Sequence, residues 1–149
     1  MSDPNYTPPD LTLLGEAHVR AYQATDGAEG YLWNGVHILL LTTTGHRSGK
    51  PRTVPLIFGR DGERLLVIAS KGGAPAHPHW YTNLAAQPDV TVQVQADRGP
   101  YVASTAESAE RERLWAIMVE QWPNYDAYQS RTDRQIPVVV LTPRGSADR

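Results

Sequence analysis

Apolar and polar residues follow two different patterns along this chain, and the change comes near residue 36. Before it, apolar positions recur with the spacing of a helix that has one apolar face: Leu11, Leu14, Ala17, His18 and Ala21. This pattern predicts a helix over about residues 11–25, with Asp10 as its N-cap and Asp26-Gly27 at its C-terminal end. From Val36 onward, β-branched and apolar residues indicate strands.

Six strands are predicted after this change, mostly joined as hairpins. Their expected ranges are 36–44, 51–59, 65–70, 90–96, 100–105 and 136–141. Asp61-Gly62 is a strong hairpin signal between the second and third strands. Residues 97–99 are the predicted turn of a later hairpin.

Helical segments interrupt the strands. Pro78 is predicted to open a short helix over 79–86, because the first helical turn tolerates proline. Ser108 is the predicted N-cap of a longer helix. The apolar face of that helix comprises Leu114, Trp115, Ile117, Met118 and Trp122. Pro123 breaks it, and residues 125–130 are expected to add a turn or two.

Short strands in hairpins with inserted helices predict an α+β fold, built on a small antiparallel β-barrel with flanking helices. A Rossmann domain is excluded because regular alternation of strands and helices is missing. The 149 residues suit one domain. We expect that domain over residues 10–143, with flexible tails at 1–9 and 144–149.

The composition narrows the chemistry and the compartment. The chain has no cysteine, which excludes disulfides, thiolate metal sites and cysteine nucleophiles. A formal net charge of -2 argues against general nucleic-acid binding. The N-terminus lacks the basic start and apolar core of a signal peptide, and the longest apolar run is far short of the ~20 residues of a membrane span. A cytoplasmic protein is expected.

Two glycine-containing loops hold the two lysines of the chain, Lys50 and Lys71. The first loop, residues 45–52, also carries Arg47 and Arg52, and its glycines allow backbone amides to approach a ligand closely. Such a loop suits a phosphate or carboxylate, and so does the second loop at residues 70–73. Both loops follow predicted strands, so they are expected on one rim of the barrel, where they would enclose the phosphate of a cofactor between two cationic walls. The alternatives are an ordinary basic turn and a flexible Gly-Gly connector.

A third feature is aromatic. Trp122, Tyr125 and Tyr128 are three residues apart, so a helical segment brings them to one side, where they suit a flat ligand. A tyrosine hydroxyl stays protonated at neutral pH and is able to donate a proton. The alternative is packing on the barrel. His77 and His79 flank Pro78 without nearby carboxylates and are a poor metal site, so no metal is expected.

Four segments, in the same order, resemble the deazaflavin-dependent nitroreductase family. They are LTTTGHRSGKPRTVPL (residues 41–56), LVIASKGG (66–73), PHWYTNL (78–84) and RTDRQIPVVV (131–140). The resemblance runs from about residue 11 to residue 143. It implies a split β-barrel fold and an oxidoreductase that transfers a hydride from reduced coenzyme F420 to a small organic acceptor, such as a quinone, a nitroaromatic compound or an activated enone.

The resemblance also assigns residues to the coenzyme. The turn at 45–52 resembles the family's clamp on the coenzyme phosphate and acidic tail, Ser70 and Lys71 match positions beside the coenzyme, and residues 55–57 are expected along its ring face. The implied coenzyme-binding residues are His46, Arg47, Ser48, Gly49, Lys50, Arg52, Val54, Pro55, Leu56, Ala69, Ser70, Lys71, Gly72, Gly73, His79 and Trp80.

On the acceptor side, the implied residues are Ile57, Trp122, Tyr125 and Tyr128. Tyr125 and Tyr128 are the expected catalytic residues, either of which would donate a proton or hydrogen bond to the acceptor. This chain has Trp122 where a membrane-associated member of the family has a tyrosine, and Ile57 replaces a polar aromatic residue of that member. His46 replaces the more usual arginine.

Two alternatives remain open: an FMN-dependent oxidoreductase on the same barrel, and a non-catalytic deazaflavin-binding protein. The expected partner is a small-molecule acceptor and not a nucleic acid. The N-terminal helix is a candidate for peripheral contact with the inner face of the cell membrane. The expected assembly is a monomer or a homodimer.

Overall fold

The computed structural model describes residues 9–10 and 13–144. Its helices are α1 (Gly15–Thr25), α2 (His79–Ala86), α3 (Ser108–Gln121) and α4 (Asn124–Ser130). Its strands are β1 (Leu32–Trp33), β2 (Val36–Thr44), β3 (Pro51–Ile57), β4 (Gly59–Asp61), β5 (Arg64–Ile68), β6 (Asp89–Val94), β7 (Asp97–Thr105) and β8 (Val138–Pro143). The predicted tails lie almost wholly outside the described residues.

The strands form one antiparallel sheet that curls on itself. Their order is β1-β2-β6-β7-β8-β5-β4, and β3 pairs with β2. The outer strand β3 ends at Ile57, and β4, at the opposite end of the order, begins at Gly59. Because Phe58 alone separates these two strands in the chain, the sheet must bend until its ends approach each other. The predicted split antiparallel barrel with flanking helices is confirmed.

The strand order places the two predicted anion loops at one rim. Every pairing is antiparallel, and β2 and β5 stand four places apart, so they run in the same direction. The turn after β2 (residues 45–50) and the loop after β5 (residues 69–77) therefore leave the barrel at the same end. The expectation of a shared rim is met.

β5 packs against two separate cores because its side chains alternate between the faces of the sheet. Leu65 and Val67 lie in the core inside the barrel. Leu66 and Ile68 belong to the core on the other face, which includes Met118 of α3. Complete burial of one such side chain contributes roughly 1.5–3 kcal/mol to folding. These contacts hold α3, and the aromatic segment that follows it, against the sheet.

The first helix begins later than predicted. α1 starts at Gly15, and Asp10 is no cap: its backbone N–H donates to Asn34 Oδ1 (2.8 Å), and Asn34 Nδ2 donates to its carbonyl (2.9 Å). The predicted apolar stripe is confirmed at His18, which is buried, but it is wrong at Leu14, which is 54% exposed, and at Ala17, which is also exposed. Tyr22, which the stripe did not include, is buried. Leu11 lies outside the described residues.

Three local predictions also need correction. The hairpin turn between β6 and β7 falls at Gln95 and Ala96, because residues 97–99 already pair with β6. α3 is preceded by Glu107 at the N-cap position, and Ser108 is its first residue. The described part of the chain has eight strands in place of six, because β1 was missed and residues 51–59 divide into β3 and the start of β4 at Phe58. The helix predicted at 79–86 is confirmed.

Candidate functional site

Two neighbouring clefts open where α1, β3 and α2 meet. The first has a volume of about 830 Å³ and the second about 490 Å³. Both are lined by Gly15, Val54, Pro55 and Trp80. Because these four residues border both spaces, the two clefts adjoin, and together they are here called the groove, with a polar end and an apolar end.

The first space, here called the cationic cleft, takes its charge from both sides. Arg47 and Arg52 reach it from the β2–β3 turn and from β3, and Arg20 and Glu16 reach it from α1. The closest approach of Arg20 to Glu16 is 3.9 Å, and both side chains are exposed, so this pair is weak. Three arginines against one glutamate make this end of the groove attractive to anions.

The β2–β3 turn is held by its own backbone. Gly45 N–H donates to the Lys50 carbonyl and Gly49 N–H donates to the Gly45 carbonyl, each at 2.8 Å. Gly49 has a φ of +71°, a conformation that glycine adopts freely. Ser48 Oγ accepts the Lys50 N–H at 3.1 Å. The turn is therefore a preformed support for the side chains it presents to the cationic cleft.

Asn83 of α2 fixes the position of His46 in this turn, and the sequence analysis missed it. Its Oδ1 accepts the His46 backbone N–H (3.0 Å) and lies 2.9 Å from His46 Nδ1, while its Nδ2 donates to Thr43 Oγ1 (3.1 Å). Because a carbonyl oxygen accepts only, Nδ1 of His46 carries the hydrogen. Nε2 is left for other partners on the side of the ring away from Asn83.

The second space, here called the apolar cleft, is walled by aliphatic and aromatic side chains. Its lining includes Trp33, Ile38, Leu56, Ile57, Ile68, Trp122, Tyr125 and Tyr128. Polar groups enter through Ser70 and Lys71 of the 69–77 loop and through His18 of α1. A mostly apolar wall with few polar groups is typical of a site for a flat organic molecule.

Tyr125 and Tyr128 of α4 meet in the apolar cleft, with ring centroids 6.1 Å apart. Tyr125 is 4% exposed, and burial raises its pKa far above the usual tyrosine value, with a further rise from Tyr128. Among residues 9–10 and 13–144, its hydroxyl has no hydrogen-bond partner. The Tyr128 hydroxyl receives a long bond, 3.4 Å, from Trp122 Nε1. Tyr125 is thus an uncharged donor without a partner in the described part of the protein.

The 69–77 loop is held against α4 and the segment that follows it. Arg134 donates to the carbonyls of Ser70 (2.7 Å) and Ala74 (2.8 Å). At Gly73, where φ is +87°, a Cβ atom would lie 2.5 Å from the Tyr128 carbonyl oxygen. A larger residue has no room there, so glycine permits the close approach of the loop to α4.

The chain matches a model of the protein family described as F420H(2)-dependent quinone reductase over residues 15–143. The chain belongs to this family. An F420H(2)-dependent quinone reductase of Mycobacterium tuberculosis is 45% identical over 131 residues, covering 85% of this chain and 88% of that protein. Membership makes the chain an F420H2-dependent reductase, and the FMN alternative is not supported.

Solved structures agree with this family. One described as an F420-H2 dependent reductase has a TM-score of 0.65 and 46% identity, covering 70% of this chain and 92% of its own. One described as a domain-swapped dimer has a TM-score of 0.68 and 40% identity, covering 83% and 96%. HutZ, the heme storage protein of Vibrio cholerae, at 18% identity, a TM-score of 0.55 and coverage of 87% and 90%, shares the fold alone.

Most residues that the family resemblance assigned to the coenzyme and the acceptor lie along the groove. The cationic cleft includes His46, Arg47, Ser48, Arg52, Val54, Pro55, His79 and Trp80. The apolar cleft includes Leu56, Ile57, Ser70, Lys71, Gly72, Trp122, Tyr125 and Tyr128. Four predicted residues line neither cleft: Gly49, Lys50, Ala69 and Gly73. Ala69 packs inside the barrel, and Gly73 lies beneath α4.

The two predicted anion loops share a rim but not a cleft. Lys71 lines the apolar cleft, whereas Arg47 and Arg52 line the cationic one. The prediction that both loops enclose one anion is therefore not met. Besides Asn83 and Arg134, the sequence analysis missed His18, whose Nε2 donates to the Gly30 carbonyl at 2.8 Å while the ring borders the apolar cleft.

Proposed function

We propose that this chain binds reduced F420 along the whole groove and uses it to reduce a quinone or a related small acceptor in the apolar cleft. The observation that carries the proposal is that a cationic and an apolar cleft adjoin at Val54, Pro55 and Trp80. F420 joins a flat deazaflavin ring to a phosphate-bearing acidic tail. One groove with a cationic end and an apolar end fits both parts.

The cationic cleft would hold the acidic tail. Arg47 and Arg52 would pair with its anionic groups, and Asn83 would keep His46 oriented beside them. The ring would lie against residues 55–57 of β3, with Ser70 and Lys71 nearby. When bound, reduced F420 supplies a hydride, and the protein contributes position and electrostatics.

The acceptor would lie between the coenzyme ring and the aromatic wall of α4. Trp122 and Ile57 give flat and aliphatic surface for an uncharged ring system. Tyr125 would donate a hydrogen bond or proton to the acceptor oxygen as negative charge develops there, because its raised pKa keeps the phenol protonated. Tyr128 is the second candidate for this role.

A reduction assay tests the proposal. The purified protein is mixed anaerobically with reduced F420 and a soluble quinone, and the return of oxidised F420 is followed by its fluorescence. We expect quinone-dependent oxidation of reduced F420 that requires the protein. Tight F420 binding without turnover of quinones, nitroaromatic compounds or activated enones would favour the non-catalytic alternative.

The acceptor range extends the same proposal. Quinones come first because the M. tuberculosis relative is named as a quinone reductase. Nitroaromatic compounds and activated enones are also planar and electrophilic, so the apolar cleft suits them as well. A comparison of kcat/KM across the three classes would rank them, and a preference for a class outside these three would contradict the assignment.

We infer a homodimer or monomer and a peripheral membrane contact as secondary proposals. The solved relative described as a domain-swapped dimer supports the dimer. Leu14, at the start of α1, and Leu32 of β1 are 54% and 66% exposed, and these apolar side chains support the membrane contact. No helix in the described residues is long and apolar enough to cross a membrane. Light scattering tests the assembly, and failure to sediment with lipid vesicles would contradict the contact.

A further inference from the structure

Arg134, which follows α4 in the chain, bonds to several residues of the 69–77 loop. Its guanidinium donates to the carbonyls of Ser70 (2.7 Å), Ala74 (2.8 Å) and Ala69 (3.2 Å). A fourth contact, 3.1 Å, joins Arg134 Nη1 to Nδ1 of His77. One side chain therefore holds both ends of the loop that carries Ser70 and Lys71 to the apolar cleft.

The charge of Arg134 is directed at carbonyl dipoles. Within the described residues, it forms no ion pair with a carboxylate. Arginine presents its donors in a rigid planar fork, which suits several carbonyls at once. Neighbouring Arg131 adds a longer bond, 3.4 Å, to the Gly72 carbonyl. The loop conformation thus depends on cations from the segment after α4.

The contact with Arg134 determines that Nδ1 of His77 carries no hydrogen. Arginine only donates hydrogen bonds, so Nδ1 of His77 must accept and must lack a hydrogen. Partial loss of hydration and the charge of Arg134 both lower the pKa of His77. Among the residues described, the other titratable group in contact with this ring is Tyr81 of α2, with ring centroids 4.8 Å apart. His79, two residues along the chain, lines the cationic cleft. Protonation at Nδ1 would direct a hydrogen at a cation and break the contact.

We propose that Arg134 is a positioning residue for the coenzyme-facing loop, and that its bond to His77 makes F420 binding weaken in acid. The proposal rests on the proposed function, since the loop matters because Ser70, Lys71 and Gly72 line the groove. Neither Arg134 nor His77 lines the groove, so both act through the loop.

Two substitutions at His77 separate this account from a general structural role. Asparagine in H77N places an amide oxygen near the position of Nδ1 and does not titrate, so it keeps the acceptor at every pH. Glutamine in H77Q is longer and moves its oxygen away from that position. His77 is exposed, so both variants are expected to fold.

The readout is the dissociation constant of oxidised F420, measured by fluorescence at about pH 8 and about pH 5, on either side of the usual histidine pKa. Wild type and H77N should bind equally at the higher pH. At the lower pH wild type should bind about fivefold more weakly than H77N, a coupling of ordinary size. Comparing the two proteins at one pH removes any titration of F420 itself.

Arg134→Lys tests the other half of the proposal. One ammonium group is unable to span the carbonyls of Ser70 and Ala74 together, so F420 binding should weaken roughly tenfold at the higher pH, with KM for F420 affected more than kcat. In the ligand-free protein, hydrogen exchange at the amides of Gly73 and Ala74, which donate within the loop, should quicken in R134K.

The outcomes are distinguishable. Equal pH dependence of wild type and H77N, or an R134K protein with unchanged F420 binding and unchanged exchange, would overturn the inference while leaving the proposed function intact. A wild-type protein that binds no F420 at either pH would overturn the proposed function first. At both pH values, H77Q should bind F420 as weakly as wild type does at the lower pH, or more weakly. Binding of F420 like that of H77N would contradict the role of the acceptor position.

Discussion

At the scale of single residues, Tyr125 combines burial, a protonated phenol and a hydroxyl without a partner in the described part of the chain. Removing an unpaired hydroxyl costs little folding stability. Tyr125→Phe should therefore fold normally while kcat/KM for the quinone falls roughly 100-fold, the scale of one proton donor. Stopped-flow measurement of F420H2 oxidation checks this.

Tyr128→Phe is the matched control, because Tyr128 lies beside Tyr125 and its hydroxyl already receives the bond from Trp122. We expect a smaller loss in this variant, and F420 binding should be unchanged in both. Full turnover in both variants would remove proton donation by tyrosine from the account, leaving α4 as a packing surface for the acceptor.

Asn83 lines the cationic cleft and holds the turn that enters it. Asn83→Leu leaves the backbone N–H of His46 and the Thr43 hydroxyl without this partner, so the free energy of unfolding should fall by about 1–3 kcal/mol. F420 binding should weaken as well, because the turn that presents Arg47 is released. Urea unfolding and an F420 titration measure the two effects.

His46→Ala and the double variant complete a cycle with Asn83→Leu. If Asn83 acts by orienting the His46 ring, the effects of the two substitutions on F420 binding should not add. Fully additive effects on binding would show that His46 and Asn83 act separately.

At the scale of elements, an ion-pair network fastens the β4–β5 hairpin to α3. Arg113 bonds to Asp61 (2.9 Å) and Glu110 (3.2 Å), and Arg64 bonds to the same two carboxylates. Hydrogen bonds from these arginines lower the pKa of both Asp61 and Glu110. The network lies outside the groove and holds α3 against the barrel.

The lowered pKa values of Asp61 and Glu110 predict how the stability of the fold depends on pH. A carboxyl group whose pKa is lowered in the folded state stabilises the fold at pH values above its ordinary, unfolded-state pKa. This stabilisation is lost as the pH falls through the pKa of the folded state. The urea midpoint should therefore drop as the pH falls below about 4. Asp61→Asn with Glu110→Gln should flatten that slope, and an unchanged slope would mean that other carboxylates cause it.

At the scale of the whole molecule, the sequence predicted what depends on local pattern. The barrel followed from alternation within strands and from Asp61-Gly62, and the aromatic side of the apolar cleft followed from the spacing of Trp122, Tyr125 and Tyr128. The turn at Gln95 was missed because Gly99 gave a competing signal, and pairing with β6 decided the outcome.

Residues that act through distant partners were beyond the sequence. Arg134 bonds to Ser70 across 64 positions, and Asn83 bonds to His46 across 37. Neither residue type nor spacing identifies such partners before the sheet order is known. The separation of Lys71 from Arg47 into different clefts has the same cause, since the rim was predictable and the path of each loop along it was not.

The central claim is that the groove binds F420, with its acidic tail in the cationic cleft. Parallel fluorescence titrations with oxidised F420 and with FMN test it most directly. We predict tight binding of F420, much weaker binding of FMN, and an F420 affinity that falls with added salt because Arg47 and Arg52 hold anions. Tighter binding of FMN, or binding of neither, would contradict the account.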